Sequence, residues 1–178
     1  MFSKRTMNEL NRLTPEEFKA STKSPIVLVL DNIRSQNNVG SIFRTADAFR
    51  LSGIFLCGIT ATPPHREINK TALGATESVQ WSYHTTAAEA IHDLKAEGYT
   101  IIAVEQTHNS TLLSDFHPVR GLKAALVFGN EVNGIGDDAL KLSDHCIEIP
   151  QFGTKHSLNI AVTVGIVIWD FSKKIEFF

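Results

Sequence analysis

Four polar side chains that could bind or orient a ligand fall within five positions near the end of the chain. They are Lys155, His156, Ser157 and Asn159, and they belong to the stretch Ile147–Phe171. This stretch consists of a short apolar strand, a polar loop and a long apolar segment. Because polar groups between two core-forming segments cost free energy unless they have partners, we expect the loop to line a binding site.

Two earlier stretches have the same order of strand, polar loop and helix. Leu28–Phe49 carries Arg34 and Arg44, and Ala125–Gly136 carries Glu131 in its loop. An arginine presents a planar fork of donors suited to phosphate, and a carboxylate accepts hydrogen bonds. Taken singly, Arg44 is better explained as an exposed helix residue and Glu131 as a loop carboxylate, but the combination predicts one site built from three loops.

Six apolar runs, rich in β-branched residues and leucine, predict the strands that position these loops. The predicted strands are Ile26–Leu30, Ile54–Cys57, Val79–Tyr83, Thr100–Val104, Leu122–Phe128 and Cys146–Ile149. The predicted helices are Val39–Arg50, Thr86–Glu97, Asp137–Leu142 and, with an ambiguous period, Ser157–Phe171. This alternation indicates an α/β domain with a mainly parallel sheet flanked by helices. Ligands bind beyond the carboxyl ends of such strands, where all three loops fall.

Local signals divide the chain further. Thr14, followed by a proline and later a glutamate, starts a short helix through a capping box, so residues 1–24 are predicted to be a helical extension outside the core. Residues 25–178 are then a single domain. Gly53 is expected to end the helix after the first strand, and residues 62–78 are expected to be irregular.

The composition is that of a globular protein, with 178 residues, 43% of them hydrophobic and 20% charged. No apolar run approaches the roughly 20 residues that span a bilayer, and the N-terminus lacks the apolar core of a signal peptide. Cys57 and Cys146 are isolated, and the seven histidines are scattered. We therefore expect a cytoplasmic protein with no membrane segment, no disulfide framework and no metal site.

Charge is distributed unevenly along the chain, although the net charge is only −2. Residues 1–70 carry ten Lys and Arg against six Asp and Glu, and residues 71–150 carry four against eleven. A polarised molecule can present a basic face to a nucleic acid. From charge alone, a solvated basic surface is an equally consistent interpretation.

Three common kinds of site are excluded by their residues. The first strand is followed by DNIRSQNNVG, which lacks the glycine-rich turn of a dinucleotide site or of an ordinary Rossmann methyltransferase. No Walker phosphate-binding loop occurs. Ser157 lies in KHSLN and not in the G-x-S-x-G turn of an α/β hydrolase.

Three motifs together resemble those of the SpoU/TrmH family of the SPOUT superfamily. They are NNVGSIFRTA at Asn37–Ala46, LVFGNEVNG at Leu126–Gly134 and IEIPQFGTKHSLNIAV at Ile147–Val162. Members are S-adenosylmethionine-dependent RNA ribose 2′-O-methyltransferases, and the resemblance runs from about Pro25 to Phe171. It implies a deep C-terminal trefoil knot, which departs from the rule that chains do not thread their own loops. It also implies a homodimer with each active site near the interface.

The resemblance also implies roles for individual residues. Arg44 would assist deprotonation of the ribose hydroxyl or hold the RNA phosphate. Because arginine is normally always charged, we favour phosphate positioning. Three residues would shape the catalytic site and support the arginine, namely Glu131, Ser157 and Asn159. Asn38, the asparagine of the first motif, is expected to be catalytic as well.

The same resemblance places the cofactor and the RNA. The main chain at Gly129, Ile149 and Leu158 would hold S-adenosylmethionine, with Thr107 lining the same pocket. RNA contacts are expected from Arg34, Arg44 and Lys155. The substrate would be tRNA or rRNA, and the transfer needs no metal.

Two alternatives remain open from the sequence. One is a knotted RNA-binding or assembly protein without transfer activity, against which the intact motif residues count. The other is an α/β domain that binds a small molecule and no nucleic acid, against which the basic N-terminal half counts. Cofactor binding and turnover distinguish the three.

Overall fold

The computed structural model describes residues 2–6 and 8–177. Met1 and Met7, in the predicted extension, and Phe178, at the end of the predicted domain, lie outside the described residues. The strands are β1 (Ser24–Asp31), β2 (Leu51–Cys57), β3 (Trp81–His84), β4 (Thr100–Val104), β5 (Thr111–Leu112), β6 (Ala124–Phe128) and β7 (His145–Glu148). The α-helices are α1 (Pro15–Ala20), α2 (Gln36–Ala48), α3 (Arg66–Ala72), α4 (Ala75–Ser78), α5 (Ala87–Ala96), α6 (Asp137–Leu142) and α7 (Ile160–Lys174).

All paired strands are parallel, and they form one sheet in the order β3-β2-β1-β6-β4-β7-β5. The two central strands, β1 and β6, are buried almost throughout, which explains their unbroken apolar sequences. One core layer includes buried residues of α2 and α7, and the other includes those of α5 and α6. The predicted α/β architecture with a mainly parallel sheet is confirmed.

Several predicted elements are confirmed closely. The bounds of β4 and α6 are those predicted. The predicted helix Thr86–Glu97 is α5, and Thr86 is its cap, with a hydroxyl that accepts from Glu89 N at 3.2 Å. The ambiguous last segment is a helix that begins at Ile160, so Ser157 lies in the preceding loop. The two-residue strand β5 was missed because its residues are exposed.

Two predictions between the first and third strands are wrong. Gly53 does not end a helix; it is buried inside β2, opposite Val27 of β1, while α2 ends before Arg50, which has a φ of 47°. Residues 62–78 are not irregular, because they contain α3 and α4. These helices are so short that α3 buries only Ile68 and Ala72, too few positions for a recognisable period.

The N-terminal extension is helical as predicted but not separate from the core. Thr14 and Glu17 form the capping box, with Glu17 N donating to Thr14 Oγ1 at 3.2 Å and Thr14 N donating to Glu17 Oε2 at 2.8 Å. Phe18 is only 4% exposed and belongs to the main core cluster. The prediction that this helix lies outside the core is therefore wrong, because one aromatic residue is enough to anchor it.

A close contact between α2 and α3 positions the helix that follows the first strand. A Cβ atom on Gly40 would overlap Thr71 Oγ1 and the Ile68 carbonyl oxygen. A main-chain carbonyl inside a packed helix cannot move away cheaply. The glycine in the first motif thus lets α2 approach α3.

Asp144 ties the start of β4 to the segment before β7. Its carboxylate accepts from Ile101 N and from Lys95 Nζ, both at 2.8 Å. Burial alone would raise the pKa of Asp144, but these two donors hold it below its ordinary value.

Within the described residues, no helix is both long and apolar enough to cross a bilayer.

Candidate active site

A cleft of about 490 Å³ opens at the carboxyl ends of β4, β6 and β7, beside the start of α7. Its lining residues come from the three loops after these strands and from the neighbouring helices. They include Glu105, Gln106, Thr107, Gly129, Glu131, Asp137, Glu148, Ile149, His156, Ser157, Leu158 and Thr163. The loops after β6 and β7 therefore converge as predicted, but the third loop that lines the cleft is the one after β4 and not the predicted loop after β1.

The lining of the cleft is acidic and partly apolar. Four carboxylates contribute to it, from Glu105, Glu131, Asp137 and Glu148, while no lysine or arginine is among its lining residues in the described chain. Apolar side chains line it as well, from Val104, Ile135, Leu140, Ile149, Leu158 and Ile160. This combination favours a ligand that has an apolar or aromatic part and a net positive charge.

A tight loop after β6 presents Glu131 at the cleft. Asn130 and Gly134 exchange main-chain hydrogen bonds of 3.2 and 2.9 Å, which close the loop at its base. A Cβ atom on Gly129 would overlap the main chain at Gly134 and Ile135. Glycine is therefore required at position 129 for the loop to return so closely on itself.

Three predicted site residues form a hydrogen-bonded chain at the edge of the cleft. Asn38 Nδ2 donates to Glu131 Oε1 at 3.0 Å, and Asn159 Nδ2 donates to Asn38 Oδ1 at 3.2 Å. Asn159 Oδ1 accepts in turn from Ala161 N at 2.9 Å and caps α7. Each amide is thereby held in one orientation, which fixes the position of the carboxylate. We call these residues the Glu131–Asn38–Asn159 chain.

Two acidic residues that were not predicted hold the loops in place. Glu105 Oε2 accepts from Ile135 N at 3.1 Å, and the buried Asp31 accepts through Oδ2 from Gly136 N at 2.8 Å. Both follow or end a parallel strand. The rule that predicted the other loops, a polar residue at the carboxyl end of a strand, would have identified them too.

Thr107, predicted to line the cofactor pocket, lies in the cleft above Cys146. Thr107 Oγ1 donates to Cys146 Sγ at 3.5 Å. Burial raises the pKa of the Cys146 thiol, and stronger burial raises that of Cys57 to about 12. Both cysteines are free thiols, and these shifts keep them protonated near neutral pH.

Arg44 does not line the cleft. It is exposed and lines two other cavities, next to α3 and to the N-terminal segment. Asn38, six positions earlier on α2, contacts Glu131 at the cleft edge. Six residues of an α-helix correspond to a rise of about 9 Å and a rotation of about 240°. The same helix thus directs its two predicted catalytic residues to different sides.

The two remaining predicted RNA contacts are also outside the cleft. Arg34 is exposed in the turn after β1, and Lys155 is exposed in the loop before α7. The neighbouring His156 lines the cleft, and its carbonyl oxygen accepts from Gln106 Nε2 at 3.3 Å. In the described part of the chain, no group of three or more His, Cys, Asp or Glu side chains could hold a metal ion.

Comparison with known proteins gives consistent matches over most of the chain. The SpoU rRNA Methylase family matches residues 25–169. The 23S rRNA (guanosine-2'-O-)-methyltransferase RlmB of Neisseria meningitidis serogroup B is 31% identical over 147 residues, which cover 83% of this chain and 58% of that protein. The tRNA (guanosine(18)-2'-O)-methyltransferase of Thermus thermophilus is 29% identical over 167 residues, covering 93% of this chain and 84% of that protein.

A solved structure agrees in fold. The AdoMet-bound rRNA methyltransferase from Sinorhizobium meliloti superposes with a TM-score of 0.79 at 26% sequence identity, over 91% of this chain and 61% of that one.

The sheet and its cleft define an α/β protein of the class that binds a ligand at the carboxyl ends of parallel strands. More particularly, the chain belongs to the SpoU rRNA methylase family. It spans 58% of the length of the Neisseria relative, less than two thirds.

Proposed function

We propose that this protein transfers a methyl group from S-adenosylmethionine to a ribose 2′-hydroxyl of tRNA or rRNA. The observation that carries the proposal is the cleft, which is bordered by the Glu131–Asn38–Asn159 chain at the carboxyl ends of parallel strands. Family membership supports it, as do the names of the Neisseria and Thermus relatives, which specify 2′-O-methylation of rRNA and tRNA.

The cleft fits the proposed cofactor in charge and in surface. S-adenosylmethionine supplies, when bound, an electrophilic methyl group on a positively charged sulfur. Four lining carboxylates suit the net positive charge, and the apolar wall, which includes Ile149 and Leu158, suits the adenine. The volume of about 490 Å³ lies in the usual range for such pockets. Main-chain groups near Gly129 and the Thr107 side chain complete the proposed cofactor site.

The residues at the cleft edge would orient the hydroxyl and receive its proton. A ribose hydroxyl is a weak nucleophile at neutral pH, so catalysis depends on positioning and on proton removal. Glu131 is held by Asn38 through one oxygen. Ser157, also in the cleft lining, would hydrogen-bond the incoming nucleotide.

Arg44 has a separate role, which we place in a second copy of the chain. Arg44 lines two cavities on another side of α2 from the Glu131–Asn38–Asn159 chain. From there it would hold a substrate phosphate near a cleft that belongs to another molecule. The proposed homodimer thus has composite sites, with Arg44 of one protomer serving the cleft of its partner.

An exposed apolar stripe on α7 supports the dimer. Val162, Ile166 and Trp169 are 52%, 39% and 53% exposed, and their spacing puts them on one face of the helix. An apolar stripe on a helix is typical of a buried interface. Ile166→Arg is expected to convert the dimer to a monomer in analytical ultracentrifugation. Val119→Arg, which also charges an exposed valine but lies in a loop, is the control; an unchanged dimer in Ile166→Arg would exclude this face.

Mixed dimers test the composite site directly. Arg44→Ala and Glu131→Ala are each expected to lose methyl transfer. When the two are mixed in equal amounts and allowed to exchange subunits, half of the dimers are mixed, and each has one intact site, so about a quarter of wild-type activity returns. A mixture that exchanges subunits but stays inactive would show that Arg44 serves its own protomer.

Two features of the fold belong to the same proposal. The C-terminal segment would be threaded as a deep trefoil knot; in support, α7 follows β7 on one side of β4 yet contacts α2, which follows β1 on the other side. A fully extended chain measures about 3.5 Å per residue. Single-molecule pulling of a knotted chain would give a contour length shorter than this, and the full extended length would exclude the knot. Residues 1–24 would be an extension, because the family match begins at residue 25.

The enzymatic proposal is tested with labelled S-adenosylmethionine. The protein is incubated separately with total tRNA and with rRNA, and the products are digested to nucleosides. A 2′-O-methylated nucleoside from one pool would establish the reaction and the substrate class. Tight RNA and cofactor binding without transfer in either pool would favour the RNA-binding protein without activity.

A further inference from the structure

Two cavities join into one groove on the side of α2 that carries Arg44. They measure about 510 and 560 Å³ and share Arg44, Ala48 and Leu73 in their linings. One lies between α2 and α3, and the other lies between α2, α4 and the N-terminal residues 11–18. We call the joined cavities the basic groove.

The charged side chains of the basic groove are mostly positive. Four cations line it, namely Arg12, Arg44, Arg50 and Lys70, against two carboxylates, Asp47 and Glu77. Asp47 already accepts from Ser78 Oγ at 2.7 Å. Within the described residues, Arg12 and Arg44 form no ion pair, and Lys70 has only an exposed contact of 3.9 Å with Glu67. The arginines are therefore available to an external anion.

The lining of the cleft is acidic, whereas the lining of the basic groove is mostly positively charged. Among the described residues, the lining of the cleft contains four carboxylates and no lysine or arginine, so it disfavours a phosphate. The groove carries four of the ten lysines and arginines of residues 1–70. An RNA substrate has one phosphate per nucleotide, and it is the partner whose charge matches the groove and whose ribose must still reach a cleft.

One wall of the groove is built by the N-terminal segment, which is firmly attached. Phe18 is buried in the main core, and the capping box at Thr14 holds the start of α1. Arg12 therefore projects from an anchored segment and loses less conformational freedom on binding. The ordered wall is the second feature, besides charge, that favours a ligand in this groove.

We propose that the basic groove is a track for the phosphodiester backbone of the RNA substrate, along which Lys70, Arg44, Arg50 and Arg12 each contact phosphate. The inference rests on the proposed function, because it takes RNA as the substrate. It extends the RNA contact from Arg44, which serves the cleft of the partner protomer, outward to Lys70, Arg50 and Arg12, and it assigns a binding role to the N-terminal extension.

Salt-dependent RNA binding tests the track. Affinity of the full-length protein for its methylated RNA pool is measured between 50 and 200 mM salt for the wild type and for Arg12→Gln, Lys70→Gln and the double variant. Each phosphate contact to a single strand contributes about 0.7 to the slope of log affinity against log salt. The double variant is therefore expected to bind RNA more weakly, and the magnitude of its salt slope is expected to be smaller by about 1.4.

Two further variants separate the track from general charge and from folding. Lys19→Gln removes a positive charge from the same extension, but Lys19 does not line the groove, so binding is expected to stay unchanged. Glu77→Gln removes a negative charge from the groove and is expected to tighten RNA binding. A variant that only damages the fold would not gain affinity.

The outcomes distinguish this inference from the proposed function. If the wild type binds and methylates RNA but the groove variants keep its affinity and slope, the track is wrong and the proposed function stands. Equal losses in Lys19→Gln and Arg12→Gln would also overturn the track. If the wild type binds no RNA, the proposed function fails together with the track.

Discussion

Asn38 is expected to contribute more to catalysis than to stability. It is the central member of the Glu131–Asn38–Asn159 chain, with hydrogen bonds of 3.0 Å to Glu131 and 3.2 Å to Asn159. Asn38→Ala removes both bonds and leaves Glu131 without the donor that orients it. No main-chain group changes, and α2 gains a residue with higher helix propensity.

The expected magnitudes follow from the surroundings. A hydrogen bond to a carboxylate stabilises a protein by about 1.5–3 kcal/mol and a neutral one by about 0.5–1.5 kcal/mol. Because Glu131 and Asn159 are exposed and Asn38 is half-buried, water replaces much of this, and we expect the free energy of unfolding to fall by only about 1 kcal/mol. A catalytic group that loses its orientation costs up to about a hundredfold in rate, so kcat is expected to fall by about 10- to 100-fold.

The assay combines single-turnover methyl transfer, cofactor titration and chemical denaturation. Asn38 does not line the cleft, so the cofactor Kd should stay within about twofold of wild type, a change below about 0.4 kcal/mol. Asn37→Ala is the matched control, because this neighbouring asparagine is exposed and its side chain has no hydrogen bond within the described residues. Its main-chain carbonyl accepts from Thr71 Oγ1 at 3.0 Å and from Ser41 Oγ at 2.9 Å. A wild-type kcat in Asn38→Ala, or an equal fall in Asn37→Ala, would refute the reasoning.

Three further predictions concern packing, thiols and pH. Gly40→Ala should lower the free energy of unfolding by about 1–3 kcal/mol, because the new methyl group overlaps α3; an unchanged denaturation midpoint would contradict that contact. In the native protein Cys146 should react with a thiol reagent well before the more deeply buried Cys57, and timed labelling with mass spectrometry that gave equal rates would be inconsistent with this burial. Because folding lowers the pKa of Asp144, its ionised form stabilises the folded protein at pH values above 3.8, the ordinary pKa of an aspartate. This stabilisation is lost as the pH falls through the pKa of the folded state. Asp144→Asn should thus lower Tm at pH 6–7, by an amount that shrinks below pH 3.8; a constant difference would argue against the linkage.

Local sequence patterns predicted most elements because each pattern reflects a local physical requirement. The run at Thr100–Val104 is a strand because its β-branched residues suit a pleated and doubly covered surface. Thr86 starts α5 because its hydroxyl satisfies a main-chain donor that has no partner within the helix. Gly53 was misread because glycine near a helix end and glycine within a buried strand look alike in sequence. Only the neighbouring strand distinguishes them.

The candidate site was predictable as a set of loops but not as an arrangement. Polar residues at strand ends identified Glu131 and Ser157, since parallel strands present their carboxyl ends on one edge of the sheet. The bond from Asn38 to Glu131 joins residues 93 positions apart, and that from Asn159 to Asn38 joins residues 121 positions apart. Which amide meets which carboxylate depends on strand order and on the approach of α7 to α2, and no local pattern records these.

The sequence by itself determined most strands, most helices, the types of residue that could do chemistry and the uneven distribution of charge. Tertiary structure alone decided that β6 lies between β1 and β4, and that the acidic residues gather in the cleft while basic ones line the groove. It also decided that Arg44 and Asn38, on one helix, face different sides. The physical reason is that backbone preferences act over a few residues, whereas burial and strand pairing act between segments far apart in the chain.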